Sequence, residues 1–182
     1  TQSDPFADLR AALDQRADSG ELAGVRIDAS RRNRTGAPEV VYGKGKTSEQ
    51  IAAGLLRLVQ AENRGLAARV APEIAPVVQE MLAGNNIGST YEPIARTLTA
   101  VRADCEPPLS GGRVVVITAG SSDRAQAAEA GAILYEMGCE PFVFHDVGVA
   151  GLHRLVQPLR QTVAFDPDAL IVAAGMDGVL PG

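Results

Sequence analysis

The chain has 182 residues, 46% of them apolar and 21% charged, with a formal net charge of −5 at pH 7, which bounds it to one large or two small domains and excludes a disordered chain. Negative charge and only 4% aromatic residues argue against general nucleic-acid binding and remove the usual base-stacking platforms. No apolar run reaches the length of a bilayer span, no leader pattern stands at the amino terminus, and two cysteines are too few for a disulfide framework or a zinc site, so a cytoplasmic protein with no membrane or nucleic-acid partner is expected.

In chain order, Phe6 to Arg16 reads as a short amphipathic helix with Phe6, Leu9, Ala12 and Leu13 on one face. Val40-Val41-Tyr42 reads as a short strand. Thr47 or Ser48 is placed to cap a helix whose apolar positions Ile51, Leu55, Leu58 and Val59 recur at helical spacing, with Gly65 as the expected stop. A third helix is expected from Pro72 through Ile74, Val77, Val78 and Met81 to Gly84. Leu66 to Val70 and Ile94 to Val101 are strand candidates. This amino-terminal α+β region, residues 1–104, ends in a linker over residues 105–112, Cys105-Glu106-Pro107-Pro108-Leu109-Ser110-Gly111-Gly112, where prolines and glycines continue neither helix nor ladder.

Residues 113–182 alternate more regularly. Val114 to Ile117 is a β-branched run that reads as a buried parallel strand, and the turn Thr118-Ala119-Gly120-Ser121-Ser122-Asp123 hands the chain to a helix over Arg124 to Met137, stopped by Gly138. Asp123 and Gln126 are spaced for a capping box. Phe142-Val143-Phe144 is a second strand. Leu152, Leu155, Val156 and Leu159 mark one face of another helix that Pro158 bends or shortens, and Leu170-Ile171-Val172 forms a third strand. Strand, helix, strand, helix, strand calls for a parallel sheet with ligands outside the carboxyl ends of its strands. The amides at the turn after the first strand are then placed to hold an anionic group. Because a further helix should follow the third strand, this half reads as the first part of a three-layer, flavodoxin-like domain that is truncated here.

Three separated motifs carry a resemblance. Thr118 to Asp123, then Asp146-Val147-Gly148-Val149-Ala150-Gly151-Leu152-His153-Arg154-Leu155, then Ala174-Gly175-Met176-Asp177-Gly178-Val179-Leu180-Pro181 resemble the nickel-pincer nucleotide biosynthesis family LarB, whose carboxyl domain is similar to the PurE-type aminoimidazole ribonucleotide carboxylases. Arg31, Arg34, Gly36 and Pro38 to Gly43, followed by Gly45-Lys46-Thr47, resemble the segment that precedes the catalytic domain of that family. The resemblance implies carboxylation of the pyridinium ring of nicotinic acid adenine dinucleotide, with carbon dioxide or bicarbonate as second substrate and hydrolysis of the phosphoanhydride to release AMP. It implies a homo-oligomer, no organic cofactor, and magnesium as an optional aid at the pyrophosphate. The family's chemistry adds a thiolate to the electron-poor ring to make an enamine-like nucleophile, and a carboxylate helps remove the ring proton. Asp177 stands where the family has glutamate. The family's nucleophilic cysteine is expected beyond Gly182, since neither Cys105 nor Cys139 matches its motif.

By this resemblance Asp177 and His153 are the candidate catalytic residues, and Gly120, Ser121, Ser122, Asp123, Asp146, Gly148, Arg154, Gly175, Met176, Gly178 and Leu180 line the substrate. Arg154 is the choice for phosphate because its planar fork donates two bonds to one anion. The same residues also have ordinary uses as helix caps, turn formers and surface charges. Gly43-Lys44-Gly45-Lys46-Thr47 resembles a phosphate-binding loop, but Val40 stands where the first glycine is needed, which excludes a nucleoside triphosphatase. Arg31, Arg32 and Arg34 read as a solvated basic run, His145 has no support as a metal ligand, and no metal site is expected. Two alternatives stay open: a carboxylase or mutase acting on an aminoimidazole ribonucleotide, against which Val179 stands where a histidine is usual, and a non-catalytic nucleotide-binding regulator similar to circadian phase modifiers.

Overall fold

The computed structural model describes residues 25–103, 105–175 and 178–182. The helix expected over Phe6 to Arg16 lies outside them, as do Met176 and Asp177. Two sheets organise the rest. The first is mixed and four-stranded, in the order β1-β2-β4-β3, built from β1 (Val40–Tyr42), β2 (Arg64–Ala68), β3 (Gly88–Glu92) and β4 (Thr97–Val101). β1 and β2 are parallel, and β4 pairs antiparallel with both β2 and β3. The second sheet is parallel and three-stranded, β6-β5-β7, from β5 (Arg113–Thr118), β6 (Glu140–Phe144) and β7 (Ala169–Ala173). No helix among the described residues is long and apolar enough to cross a membrane.

The basic run is a helical turn of its own, α1 (Arg31–Thr35), closed by Gly36 at φ 76°. α2 (Ser48–Glu62) starts where a capping box predicts: the Gln50 amide donates to Thr47 Oγ1, and the Thr47 amide donates back to Gln50 Oε1. Ile51, Leu55, Leu58 and Val59 are its buried face, each no more than 2% exposed. The helix stops at Asn63, φ 62°, and not at Gly65. Gly65 belongs to β2, where a Cβ would come within 2.7 Å of the Leu58 Cβ, so glycine serves there to let α2 lie close on the strand. α3 (Ala75–Ala83) begins later than Pro72, after a turn over residues 72–74. β4 begins at Thr97 because residues 93–96 form the turn from β3, a strand whose alternating half-exposed pattern carries little apolar signal.

In the second half, alternate side chains of β5 supply two cores. Val114 and Val116 pack with Ala127 and Leu134 of α4 (Arg124–Glu136), while Val115 and Ile117 pack with Phe142, Phe144, Leu155 and Phe165. The last two come from α5 (His153–Phe165), so the parallel sheet has one helix on each face. The apolar residues of α5 fall on two stripes. Leu155 and Phe165 turn inward, whereas Leu152, Val156, Leu159 and Val163 remain 46–79% exposed, which corrects the single face expected from Leu152, Leu155, Val156 and Leu159. Pro158 lies inside an uninterrupted α5. α4 also packs against β2, which makes it the element shared by the two halves.

Candidate functional site

Register positions the site. Ile117 pairs with Phe144, and Thr118 pairs with Ala173, so the three parallel strands end level and their following loops leave from one edge. Backbone bonds tie those loops together. The Ala119 amide donates to the Ala173 carbonyl at 2.9 Å, and the Val147 amide donates to the Thr118 carbonyl at 2.8 Å. Gly148 lies against the loop after β5, where a Cβ would sit 2.9 Å from the Ala119 oxygen. Here only glycine fits.

Ser121–Asp123 is a 3-10 turn leading into α4. The capping box expected between Asp123 and Gln126 is absent; the Asp123 carboxylate instead accepts from the Gly120 amide at 3.0 Å and closes the turn on itself. The Asp123 amide donates to Gly120 O at 3.2 Å and the Arg124 amide to Ser121 O, so both are already occupied. Ser121 and Ser122 are exposed at the rim. Gly120 and Gly175 have φ outside the left-handed region; a Cβ at Gly120 would meet only ordinary contacts, and one at Gly175 would meet nothing within 4 Å. The protein's own packing does not demand glycine at either position.

The loop after β6 carries the charges. Asp146 has φ 57°, its amide donates to Thr118 Oγ1 at 3.1 Å, and its carboxylate lies 3.4 Å from Arg154 Nη1. Both side chains of that pair are more than half exposed, so it is a weak surface contact that leaves the guanidinium accessible. His153 and Arg154 are exposed at the start of α5. Leu180 is half-buried against Val115, Ile117 and Val147, which makes it a packing anchor for the last loop; Gly178 is exposed at φ 59°. Thr118 opens the first motif in the sequence but has no site role there. Its signal was a hydroxyl closing a run of valine and isoleucine.

The other candidates lie elsewhere. Cys139 immediately precedes β6 and contacts Ser110 Oγ at 3.4 Å, and Cys105 lies in the linker before β5, so both are at the edge opposite the rim. A cavity of about 230 Å³ opens near Cys105, between the amino-terminal half and residues 105–108, lined in part by Arg32, Glu62 and Arg64. Its charges are already matched: Arg32 pairs with Glu62, and Arg64 with Glu136, each at 2.8 Å. Arg34 pairs with Asp28, Arg31 lies 3.8 Å from Glu39, and Lys46 Nζ donates to Tyr42 O at 2.8 Å. Among the described residues no group of three His, Cys, Asp or Glu side chains converges on a cation position.

The family match bears on the half that does not build the rim. Residues 20–102 match the LarB/PurE-like N-terminal domain. An uncharacterized protein of Methanocaldococcus jannaschii is 38% identical over 159 residues, covering 86% of this chain and 61% of that protein. The chain thus spans about three-fifths of that relative's length. Among the described residues, the LarB/PurE-like domain meets the parallel-sheet half through Arg32, Arg64 and Arg69, which bond to Glu136 and Glu129 of α4.

Proposed function

We propose that the parallel-sheet half belongs to an enzyme that carboxylates the pyridinium ring of nicotinic acid adenine dinucleotide and cleaves its phosphoanhydride to AMP. One observation carries the nucleotide part. Three loops converge at the carboxyl rim with an exposed guanidinium, two exposed serines, and glycines at 120 and 175 that local packing does not require. Glycine weakens a fold relative to alanine, so its presence where a Cβ would fit suits close approach by a ligand. Arg154 takes a phosphate in place of Asp146, and the Ser121 and Ser122 side chains take part of the ribose phosphate.

A PurE-like fold is part of this proposal, as are a homo-oligomer and carbon dioxide or bicarbonate as second substrate. In the chemistry, a thiolate adds to a ring carbon and gives a neutral dihydropyridine. Its enamine-like carbon attacks carbon dioxide, forming the new C–C bond. A base takes the proton from that carbon, and the electron pair returns to the ring as the thiolate leaves. Asp177 is assigned that proton, with His153 as a proton carrier. Cys105 and Cys139 lie at the wrong edge, so the reading draws its thiolate from outside these 182 residues. Water then attacks one phosphorus of the phosphoanhydride, and the bridging P–O bond breaks to give AMP and the ring-carboxylated mononucleotide. The described residues do not suit a resident metal, so no step is routed through magnesium.

The test gives the complete protein the dinucleotide and carbon-13-labelled bicarbonate. Release of AMP together with labelled ring carboxylate in the mass spectrum is the expected result; unchanged dinucleotide overturns the reading, and tight binding without turnover favours a nucleotide-binding regulator.

A further inference from the structure

We propose that Thr118 sets the anion-binding geometry of the rim, acting through Asp146 on Arg154. This deepens the nucleotide reading above and rests on it. Thr118 closes β5 directly after the run Val114 to Ile117, and it is fully buried. Valine would match its shape, strand preference and packing there without burying a hydroxyl, which costs free energy unless it is bonded. The hydroxyl does have a partner: Oγ1 accepts the Asp146 amide at 3.1 Å, while the Thr118 carbonyl accepts the next amide, Val147, at 2.8 Å.

These two bonds grip the chain where it leaves β6. Asp146 is left-handed at φ 57°, a conformation that is strained for a non-glycine residue and persists only where neighbours enforce it. With the backbone turned this way, the Asp146 carboxylate reaches Arg154 Nη1 at 3.4 Å, and Gly148 drops under the Ala119 carbonyl. Asp146 therefore acts as a placeholder. It holds the guanidinium at the rim through a weak exposed pair that a phosphate displaces. Thr118 touches no ligand in this arrangement and is a positioning residue.

The experiment measures calorimetric affinity for nicotinic acid adenine dinucleotide and for AMP in the wild type, Thr118→Val, Thr118→Ser, Arg154→Ala and the Thr118→Val/Arg154→Ala double variant, with a urea midpoint for each. Thr118→Val leaves the Asp146 amide without its acceptor and is expected to weaken binding roughly ten-fold. Thr118→Ser keeps the acceptor and should bind like wild type. In the Arg154→Ala background the valine substitution should add nothing, because the effect travels through that guanidinium. Wild-type affinity in Thr118→Val, or an equal loss in both backgrounds, overturns the proposal while leaving the nucleotide reading intact. An Arg154→Ala variant that binds like wild type also overturns the proposal, by removing Arg154 from the site, and a wild type that binds neither probe sinks both. Should Thr118→Val not fold, Thr118→Ala removes the same acceptor; if neither folds, the hydroxyl is purely structural and the proposal fails.

Discussion

Arg64 of β2 and Glu136 of α4 meet through two parallel hydrogen bonds of 2.8 Å, with side chains only 5% and 3% exposed. Arg64 also donates to the Cys105 carbonyl, and Arg32 donates to the Glu136 carbonyl at 3.0 Å. Seven residues earlier on α4, Glu129 takes Arg69, just past the far end of the same strand, at 3.0 Å. The helix that starts at the Ser-Ser-Asp turn is thereby riveted along its length to the LarB/PurE-like domain. That domain holds the orientation of α4 without reaching the rim itself.

Breaking this pair from one side should be costly. Glu136→Gln leaves the Arg64 guanidinium enclosed with no counter-charge, and a loss of about 3 kcal/mol is expected from urea unfolding at pH 7. Arg64→Leu combined with Glu136→Leu should recover much of that loss, since two apolar groups carry no desolvation penalty. A single variant within about 0.5 kcal/mol of wild type, the range of an ordinary surface change, would show that water reaches the pair.

Two glycines of the α4 hairpin should respond in opposite directions to alanine. Gly138 ends the α4 segment at φ 78°, and a Cβ there would lie 1.6 Å from the Pro108 oxygen of the linker. Gly138→Ala is expected to cost at least about 2 kcal/mol, from the strained φ and the forced linker movement. Gly131, inside α4, has nothing within 4 Å of its added Cβ, so Gly131→Ala should stabilise by about 0.5–1 kcal/mol. Thermal melts of the two variants side by side check both signs.

Glu39 provides a pH signature. Burial pushes its carboxyl above the ordinary value, and the Arg31 guanidinium at 3.8 Å only partly offsets that rise. The folded state thus holds the Glu39 proton more tightly than the unfolded state, so stability from this group is present at low pH and is lost as pH climbs through the raised value. Glu39→Gln should therefore be more stable than wild type at pH 7, with the gap closing below about pH 4, where the unfolded carboxylate is itself protonated. A lower urea midpoint for Glu39→Gln at pH 7 would mean that the Arg31 contact outweighs burial.

Arg154 has a direct ligand test. Arg154→Ala should weaken binding of nicotinic acid adenine dinucleotide roughly ten-fold or more, the range for bonds to a charged group, and Arg154→Lys should restore only part because ammonium lacks the planar fork. Unchanged affinity by calorimetry removes Arg154 from the site. The urea midpoint should barely move, since its pair with Asp146 is exposed.

Local pattern was sufficient wherever a short window holds the whole cause. The Thr47 cap, the buried face of α2 and the strand-helix alternation after Arg113 all follow from neighbours within about four residues, the reach of helix and strand periodicity. The Arg31 to Thr47 segment likewise resembles the LarB/PurE-like N-terminal domain that residues 20–102 match. What lay outside that reach needed partners distant in the chain. Gly65 looked like a helix stop and proved to be a packing glycine against Leu58, and β3 exists because β4 offers it a ladder. The apolar residues of α5 could not be sorted into inner and outer stripes until the sheet chose one of them. Arg64 is buried only because Glu136, 72 residues away, meets it, and Thr118 takes on meaning only when Asp146 arrives from another strand. Periodicity decides which elements form; burial of charge and the satisfaction of backbone donors are settled only when the elements touch.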